Sequence, residues 1–196
     1  MSKTLAIDTS TSRTSVAIID GEAILFSGFR DGATAHGPSL PALVQEALAI
    51  SDVDEVVVGM GPGPFTGLRV GIAFAQSFAL GAGINWVGVC SLDAMAASIN
   101  QEDFIVSTDA RRKERYWARY KNSKRITEPA VSKASELDKY KIPIFNEGEY
   151  FPDPVEIAKL SSENDLVKNP IYIRKPDAYP LPHGVKFRAM TALDLV

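Results

Sequence analysis

The sequence predicts an α/β protein built from two similar lobes, of which the second is reduced. Segments that suit short strands are interleaved with helical patterns along the chain. The order of elements that begins at Lys3 begins again, in a shorter form, at Phe104. We therefore expect an N-terminal lobe over residues 1–100, and a smaller C-terminal lobe with an extended tail over residues 101–196.

The first half opens with three predicted strands. Residues 3–8, 15–20 and 23–29 are apolar or alternate between apolar and polar, and turn-forming residues separate them. We expect these strands to pair as antiparallel neighbours. A helix is predicted over residues 37–50, where prolines lie near the first turn. Its apolar face is formed by Leu40, Leu43, Val44, Ala47 and Leu48.

The most distinctive stretch is VVVGMGPGPFTGLRVGIAFAQSFALGAG, residues 56–83. Its three valines suit a strand that is buried on both faces, and Thr66 is expected to cap a helix that ends at Gly81 to Gly83. The helix is apolar on most sides, through Gly67, Leu68, Gly71, Ile72, Phe74, Ala75, Phe78 and Ala79. The small residues form a groove that either a helix of the same domain or a second chain can fill.

The glycines of this stretch do not form a known phosphate-binding motif. A dinucleotide fingerprint that starts at Gly61 and Gly63 requires a third glycine where Thr66 stands, and the Lys-Ser/Thr pair of a Walker A loop is absent. Pro62 and Pro64 also lack the N–H groups that hold a phosphate. The turn is therefore interpreted as structural.

Composition favours an ordinary globular protein. The 196 residues are 45% hydrophobic, and the net charge of −3 gives no basic field for tight nucleic-acid binding by the whole chain. The apolar helix is too short for a bilayer and Arg69 interrupts it, so no membrane association is expected. The single cysteine, Cys90, forms no internal disulfide, and no signal peptide is visible, which favours a cytoplasmic location.

The second half repeats the layout of the first after a strand at residues 85–89 and a short helix that Ser91 is expected to cap. The segment FIVSTDARRKERYWARY echoes TLAIDTSTSRTSVAII as a strand, a turn and a second strand. Further predictions are a strand near 125–127, a helix over 132–140, a strand near 143–145, a helix over 154–160 and a proline-rich extended tail from Asn164.

This doubled order of strands and helices is the plan of the actin-like ATPase fold. In that fold an aspartate at the end of the first strand of each half faces a nucleotide cleft, and Asp8 and Asp109 stand at those places. Asp8, Thr9 and Ser10 are therefore candidates for a vestigial nucleotide site. The alternative, which we rank higher, is that Asp8 closes a turn by accepting hydrogen bonds from Ser10 and its neighbours.

Four segments resemble the TsaB family, also called YeaZ. They are AIDTSTSRTSVAI, GMGPGPFTGLRVGIAFAQSFA, TDARRKERYWARY and NPIYIRKPDA, and together they span most of the chain. The resemblance implies a non-catalytic subunit that pairs with TsaD, with TsaE joining the assembly and TsaC supplying threonylcarbamoyl-adenylate. TsaD then transfers threonylcarbamoyl to N6 of adenosine 37 in tRNA. No cofactor of the subunit itself is implied.

In the family, the two apolar helices form the surface for TsaD or for a homodimer when the subunit is alone. Carried over to this chain, the interface residues are Leu40, Leu43, Val44, Ala47, Leu48, Gly67, Leu68, Gly71, Phe74, Ala75 and Phe78. Contact with tRNA is expected only through the complex. A run of charge, residues 111–115 followed by Tyr116 and Trp117, either touches tRNA or is simply a solvated turn.

No metal site is predicted. TsaD-like relatives carry a His-x-x-x-His pair where this chain has Ser91 and Met95, and the only histidines are His36 and His183. His36 is expected at the surface, and Cys90 is expected to pack as a small hydrophobe. These features argue against a metallopeptidase. A stand-alone sugar kinase or ATPase of the same fold remains the alternative function.

Overall fold

A computed structural model describes residues 2–162 and 166–174, and its first sheet is formed by the first half of the chain. The strands are β1 (Lys3–Asp8), β2 (Arg13–Asp20), β3 (Ala23–Asp31), β4 (Glu55–Gly59) and β5 (Asn85–Val89). Their order across the sheet is β3-β2-β1-β4-β5. Strands β1, β2 and β3 are antiparallel neighbours, as predicted, while β4 and β5 add to β1 in parallel.

Helices cover both faces of this sheet. Because side chains alternate along a strand, Leu5 and Ile7 of β1 point to one face and Ala6 to the other. The first face packs against α1 (His36–Leu48) and α2 (Phe65–Ala82). The second packs against α3 (Ser91–Ala97) and a later helix described below. The valines of β4 are fully buried, which confirms the predicted strand with two covered faces.

The strands of the second sheet are β6 (Asp103–Asp109), β7 (Glu114–Lys121), β8 (Lys124–Arg125), β9 (Ala130–Lys133) and β10 (Ile144–Asn146). Their order is β10-β6-β7-β8, and β9 also pairs with β7. Strands β6 and β7 are antiparallel, and β10 lies parallel to β6, as β4 lies parallel to β1. The predicted echo of the first half is thus confirmed.

Helix α3 lies between the two sheets. Its Leu92 and Met95 pack against Phe104 and Tyr120 of the second sheet, while Ala94 belongs to the core of the first sheet. The other face of the second sheet is covered by Leu137 of the short helix α4 (Ala134–Leu137). We call the two sheets with their helices the first and second lobes.

The second lobe differs from the sequence prediction in two places. The predicted helix over residues 132–140 is reduced to α4 and a 3₁₀ turn, because residues 130–133 pair with β7 instead. The predicted last helix forms as α5 (Pro154–Lys159), but Val155 and Ile157 pack on the first sheet. By its packing α5 belongs to the first lobe, although it falls in the range 101–196 that was assigned to the second.

Two predicted helix caps are wrong. Helix α2 begins at Phe65, directly after the extended Pro64, so Thr66 lies inside the first turn and makes no cap. Helix α3 begins at Ser91 itself, and the hydroxyl of Ser91 bonds elsewhere. The end of α2 is as predicted, since Gly83 adopts the left-handed conformation that terminates helices. No described helix is both long and apolar enough to cross a membrane.

Residues 166–174 form no helix or strand, as the tail prediction expects, but they pack along both lobes. The N–H of Val167 donates to the carbonyl of Gly88 at 2.7 Å, and the N–H of Ile171 donates to that of Met60 at 2.9 Å. Arg174 donates to the carbonyl of Ala110 at 2.9 Å. The rest of the predicted tail, including His183, lies outside the described residues.

Candidate functional site

A cleft of about 510 Å³ lies where the first turns of the two lobes meet. The β1–β2 turn and the beginnings of α1 and α2 form one side, and the β6–β7 turn and the end of β10 form the other. Residues 172–174 close one end of it. The lining residues that matter for the chemistry of the cleft are Ser12, His36, Asp109, Arg111, Glu147 and Arg174.

Asp8, at the end of β1, is only 1% exposed. Its Oδ1 accepts hydrogen bonds from the backbone N–H and the hydroxyl of Ser10, at 2.8 and 2.7 Å, and its Oδ2 accepts one from the hydroxyl of Ser91 at 2.6 Å. Burial raises the pKa of Asp8, and the hydrogen bonds from Ser91 and Ser10 oppose that rise. The predicted turn-closing role of Asp8 is confirmed.

Thr9 and Ser10 are also buried and bonded within the chain. The hydroxyl of Thr9 donates to the carbonyl of Gly67 at 2.8 Å, and the carbonyl of Ser10 lies against Gly63. None of the three candidate nucleotide residues lines the cleft, and their assignment stays a prediction. The next residues of the same polar run, Thr11 and Ser12, reach the cleft surface instead.

Asp109, the counterpart of Asp8, is exposed and lines the cleft. Its carboxylate accepts a hydrogen bond from the N–H of Arg111 at 3.0 Å, and its own N–H donates to Oε2 of Glu147 at 2.8 Å. The other oxygen of Glu147 accepts from the N–H and the hydroxyl of Ser12, at 2.9 and 2.7 Å. Sequence reasoning missed Glu147, because it follows a short strand and belongs to no motif.

The prediction that His36 lies at the surface is wrong. The residue is 5% exposed, and its Nδ1 shares a 2.8 Å hydrogen bond with the hydroxyl of Thr14. Burial lowers the pKa of His36, against the opposing effect of a hydrogen bond with the Thr11 backbone. Its ring lies against Gly67 of α2, where a larger residue would collide with the carbonyl of Thr9.

Ser91 and Met95 stand at the two positions where TsaD-like relatives are expected to carry a histidine pair. Ser91 and Met95 are both fully buried, Ser91 against Asp8 and Met95 in the core between the sheets. Cys90 is 1% exposed, and burial raises the pKa of its thiol to about 12, which confirms the expected packing role. Among the described residues, no group of three or more His, Cys, Asp or Glu suits a metal ion.

The basic turn between β6 and β7 is exposed, but its aromatic neighbours are not. Arg111, Arg112 and Lys113 have φ values of 60°, 54° and 64°, in the left-handed region. Tyr116 and Trp117 are each only 6% exposed, and the indole N–H of Trp117 donates to Ser132. Both rings are largely buried, and contact of this run with tRNA stays a prediction.

Most predicted interface residues are buried inside the chain. Gly71 packs against the side chain of Thr9, and Gly67 against its carbonyl, so the chain itself fills the predicted groove. A close approach of α2 to the β1–β2 turn requires these small residues. Buried members of the predicted surface are Leu40, Leu43, Val44, Ala47, Gly67, Leu68, Gly71 and Ala75, while Leu48, Phe74 and Phe78 are half-buried.

The exposed side of α2 is a different stripe, which we call the outer face of α2. Its members recur at three- and four-residue spacing and are Thr66, Arg69, Ala73, Gln76, Ser77 and Leu80. Leu80 is 85% exposed, and the stacked rings of Phe74 and Phe78 lie beside the stripe with centroids 6.1 Å apart. Arg69 is its only charged member, so this face carries little charge for an exposed helix.

Comparison with solved structures agrees with the strand order and the doubled lobes, which define an actin-like α/β protein. YeaZ from Pseudomonas aeruginosa has a TM-score of 0.72 at 22% identity, with 88% of this chain and all of that chain covered. A second Pseudomonas aeruginosa protein, described as similar to peptidase YEAZ, has a TM-score of 0.74 at 24% identity, covering 89% of this chain and 100% of that one.

Sequence comparisons identify the family. The family model described as "TsaD: tRNA N6-adenosine threonylcarbamoyltransferase" matches residues 31–186. An uncharacterized protein of Mycobacterium tuberculosis is 37% identical over 203 residues, 92% of this chain and 96% of that protein. The tRNA threonylcarbamoyladenosine biosynthesis protein TsaB of Escherichia coli is 35% identical over 125 residues, 59% of this chain and 54% of TsaB. The chain belongs to the TsaB/YeaZ family.

Proposed function

We propose that this protein is a non-catalytic scaffold subunit in the synthesis of threonylcarbamoyladenosine in tRNA. It binds TsaD and activates that enzyme for threonylcarbamoyl transfer to N6 of adenosine 37, TsaE joins the assembly, and the free subunit forms a homodimer. The names of the relatives support the pathway, since TsaB of Escherichia coli and of Bacillus subtilis are described as tRNA threonylcarbamoyladenosine biosynthesis proteins.

The observation that carries the scaffold role is the hydrogen bond from Ser91 to Asp8. It joins the residue at the first histidine position of TsaD-like relatives to the aspartate at the end of the first strand. Both groups are buried, and both oxygens of Asp8 are already bonded inside the chain. An aspartate in this state does not face a metal-bound nucleotide. This supports a structural use of the position and speaks against the alternative of a stand-alone sugar kinase or ATPase.

We assign TsaD to the outer face of α2. Residues 70–83 carry no charge, and a face with Leu80 almost fully exposed suits burial against a partner. TsaD is the partner that we propose for this face, because residues 31–186 of this chain match the TsaD family model, which indicates that the two proteins share a fold. A partner built on the same fold presents a related helix, so the two helices can pair about an approximate two-fold axis.

The test is complex formation with TsaD, measured as mass by light scattering and as threonylcarbamoylation of tRNA by TsaD. We expect the native chain to form a heterodimer and to raise the activity. A carboxylate placed on this face would lose its water when a partner covers it, so Ala73→Glu and Leu80→Glu should each weaken binding about tenfold or more. Gly71 is unsuitable as a probe, because a side chain there collides with Thr9 of the same chain.

The matched control is Ala97→Glu, which introduces the same charge at an exposed helical alanine on α3. It should bind TsaD like the native chain. Equal binding by all four proteins would contradict the assigned surface, and failure of the native chain to bind TsaD would contradict the scaffold role. Rapid ATP turnover by the isolated chain that Asp8→Asn abolishes would favour the kinase or ATPase instead.

A further inference from the structure

Three hydrogen-bond donors from the two lobes converge on one carboxylate. The N–H and hydroxyl of Ser12 come from the turn after β1, and the N–H of Asp109 comes from the end of β6, the equivalent strand of the second sheet. All three contact Glu147 at 2.7 to 2.9 Å. Charge-assisted bonds of this length are strong, and backbone N–H groups that point to one place form an anion site.

Glu147 is held in this position by the segment that follows β10. Beyond Glu147 the chain crosses to the first lobe, where the ring of Phe151 lies 3.9 Å from the guanidinium of Arg13. The other side of Arg13 faces Phe29 at 3.7 Å, and Arg13 also pairs with Asp31 at 2.8 Å. The segment is thus anchored at both of its ends, and the carboxylate of Glu147 is placed between the lobes by packing that does not depend on it.

Charged side chains of both signs surround the cleft. Arg111 and Arg174 line the cleft as cations, and Asp109 and Glu147 line it as carboxylates. Arg174 is also engaged by Glu114 and by the carbonyl of Ala110. Without the Glu147 carboxylate, the cleft loses one negative charge, and the three donors of Ser12 and Asp109 lose their acceptor.

We propose that Ser12 and Asp109 form an oxyanion site and that Glu147 is its built-in occupant, which joins the lobes and excludes external phosphate from the cleft. The ligand class that matches these donors is an inorganic phosphate or the phosphate groups of a nucleotide. The native chain therefore binds neither, and removal of the carboxylate opens the site to them. This inference concerns the chain by itself and does not depend on the scaffold role.

The experiment compares thermal unfolding and pyrophosphate binding of the native chain, Glu147→Ala and the matched control Glu149→Ala. Glu149 is an exposed acidic residue two positions away. Glu147→Ala should unfold at a lower temperature, because three donors lose their acceptor. Millimolar pyrophosphate, at constant ionic strength, should restore much of that loss and should bind the variant about tenfold or more tighter than the native chain.

Phosphates also stabilise proteins without binding to them, so the shift that counts is the one beyond that of Glu149→Ala at the same concentration. Equal shifts in all three proteins, or a destabilised Glu147→Ala that pyrophosphate does not rescue, would overturn the proposal. If Glu147→Ala does not fold, Glu147→Ser serves, since it also removes the carboxylate and empties the site but keeps a small polar side chain. ATP that binds more tightly than pyrophosphate would identify the ligand as a nucleotide, and equal binding would identify it as inorganic phosphate.

Discussion

The β1–β2 turn and the β6–β7 turn occupy equivalent places in the two lobes, yet they are built in opposite ways. In the first, Asp8 is 1% exposed and Ser10 is fully buried, and the carboxylate is saturated by hydroxyl and N–H donors. In the second, Asp109 is exposed and three basic residues follow it in the left-handed conformation.

The difference follows from what packs against each turn. The first is enclosed by α2, whose Gly67 and Gly71 contact Thr9, and by α3, whose Ser91 bonds to Asp8. The β6–β7 turn meets only the start of α4 among the described helices, where the N–H of Ala134 donates to the carbonyl of Lys113 at 3.2 Å, and residues 111–113 stay exposed. The equivalent turns therefore differ in role: the turn of the first lobe is a buried structural element, and the turn of the second lobe exposes its charged side chains.

The largest expected effect separates the two aspartates. Asp8→Ala leaves three buried donors without an acceptor and should lower the free energy of unfolding by about 3 kcal/mol. Asp109→Ala should lower it by about 0.5 kcal/mol or less, because the side chain is exposed and its backbone bond to Glu147 survives. Urea unfolding of both variants measures the two values. Similar losses would mean that the turns are not as different as their burial indicates.

A smaller effect is expected in the pH dependence. Burial raises the pKa of Asp8 in the folded state above the value of 3.8 taken for the unfolded chain. Between these two values the folded protein holds the proton more tightly, so stability falls as pH rises through that interval and is greatest below it. Asp8→Asn cannot titrate. The stability of the native chain minus that of Asp8→Asn should therefore decrease from acid to neutral pH, and urea unfolding at several pH values measures it.

An increase in that difference with rising pH would contradict the burial argument.

The smallest effect concerns the left-handed turn. Lys113 has a φ of 64°, which is unfavourable for a lysine and free of strain for glycine. Lys113→Gly should raise the free energy of unfolding by about 0.5 kcal/mol, after the greater freedom of glycine in the unfolded chain is subtracted. Lys121→Gly, an exposed lysine at the end of β7, should instead lower it by about 0.5 kcal/mol. Equal signs in the two variants would show that backbone strain at residue 113 is absent.

The fold was predictable where its signal is local. The apolar run of β4, the end of α2 at Gly83 and the doubled layout all follow from spacing and composition. The prediction failed at residues 130–133, which were assigned partly to a helix. Their conformation depends on pairing with β7, a strand already complete at Lys121, and no local pattern reports that partner.

The candidate site shows the same limit. The turn-closing role of Asp8 was predictable because Ser10 is two residues away. Glu147 was not, because its partners Ser12 and Asp109 lie 135 and 38 residues away along the chain. The groove on α2 was recognised from its small residues, but sequence does not say whether the partner for such a groove is a helix, a second chain or, as here, the turn at Thr9.

The segment at residues 166–174 also bears on the order in which the molecule assembles. Its hydrogen bonds reach Met60 and Gly88 in one lobe and, 64 residues back along the chain from Arg174, Ala110 in the other. Contacts between positions so far apart in sequence are made after local structure has formed, because closing a long loop carries an entropic penalty that later contacts must offset. Both sheets must therefore be in place before this segment can settle. During synthesis on the ribosome, the cleft acquires its final boundary only when nearly all of the described chain has emerged.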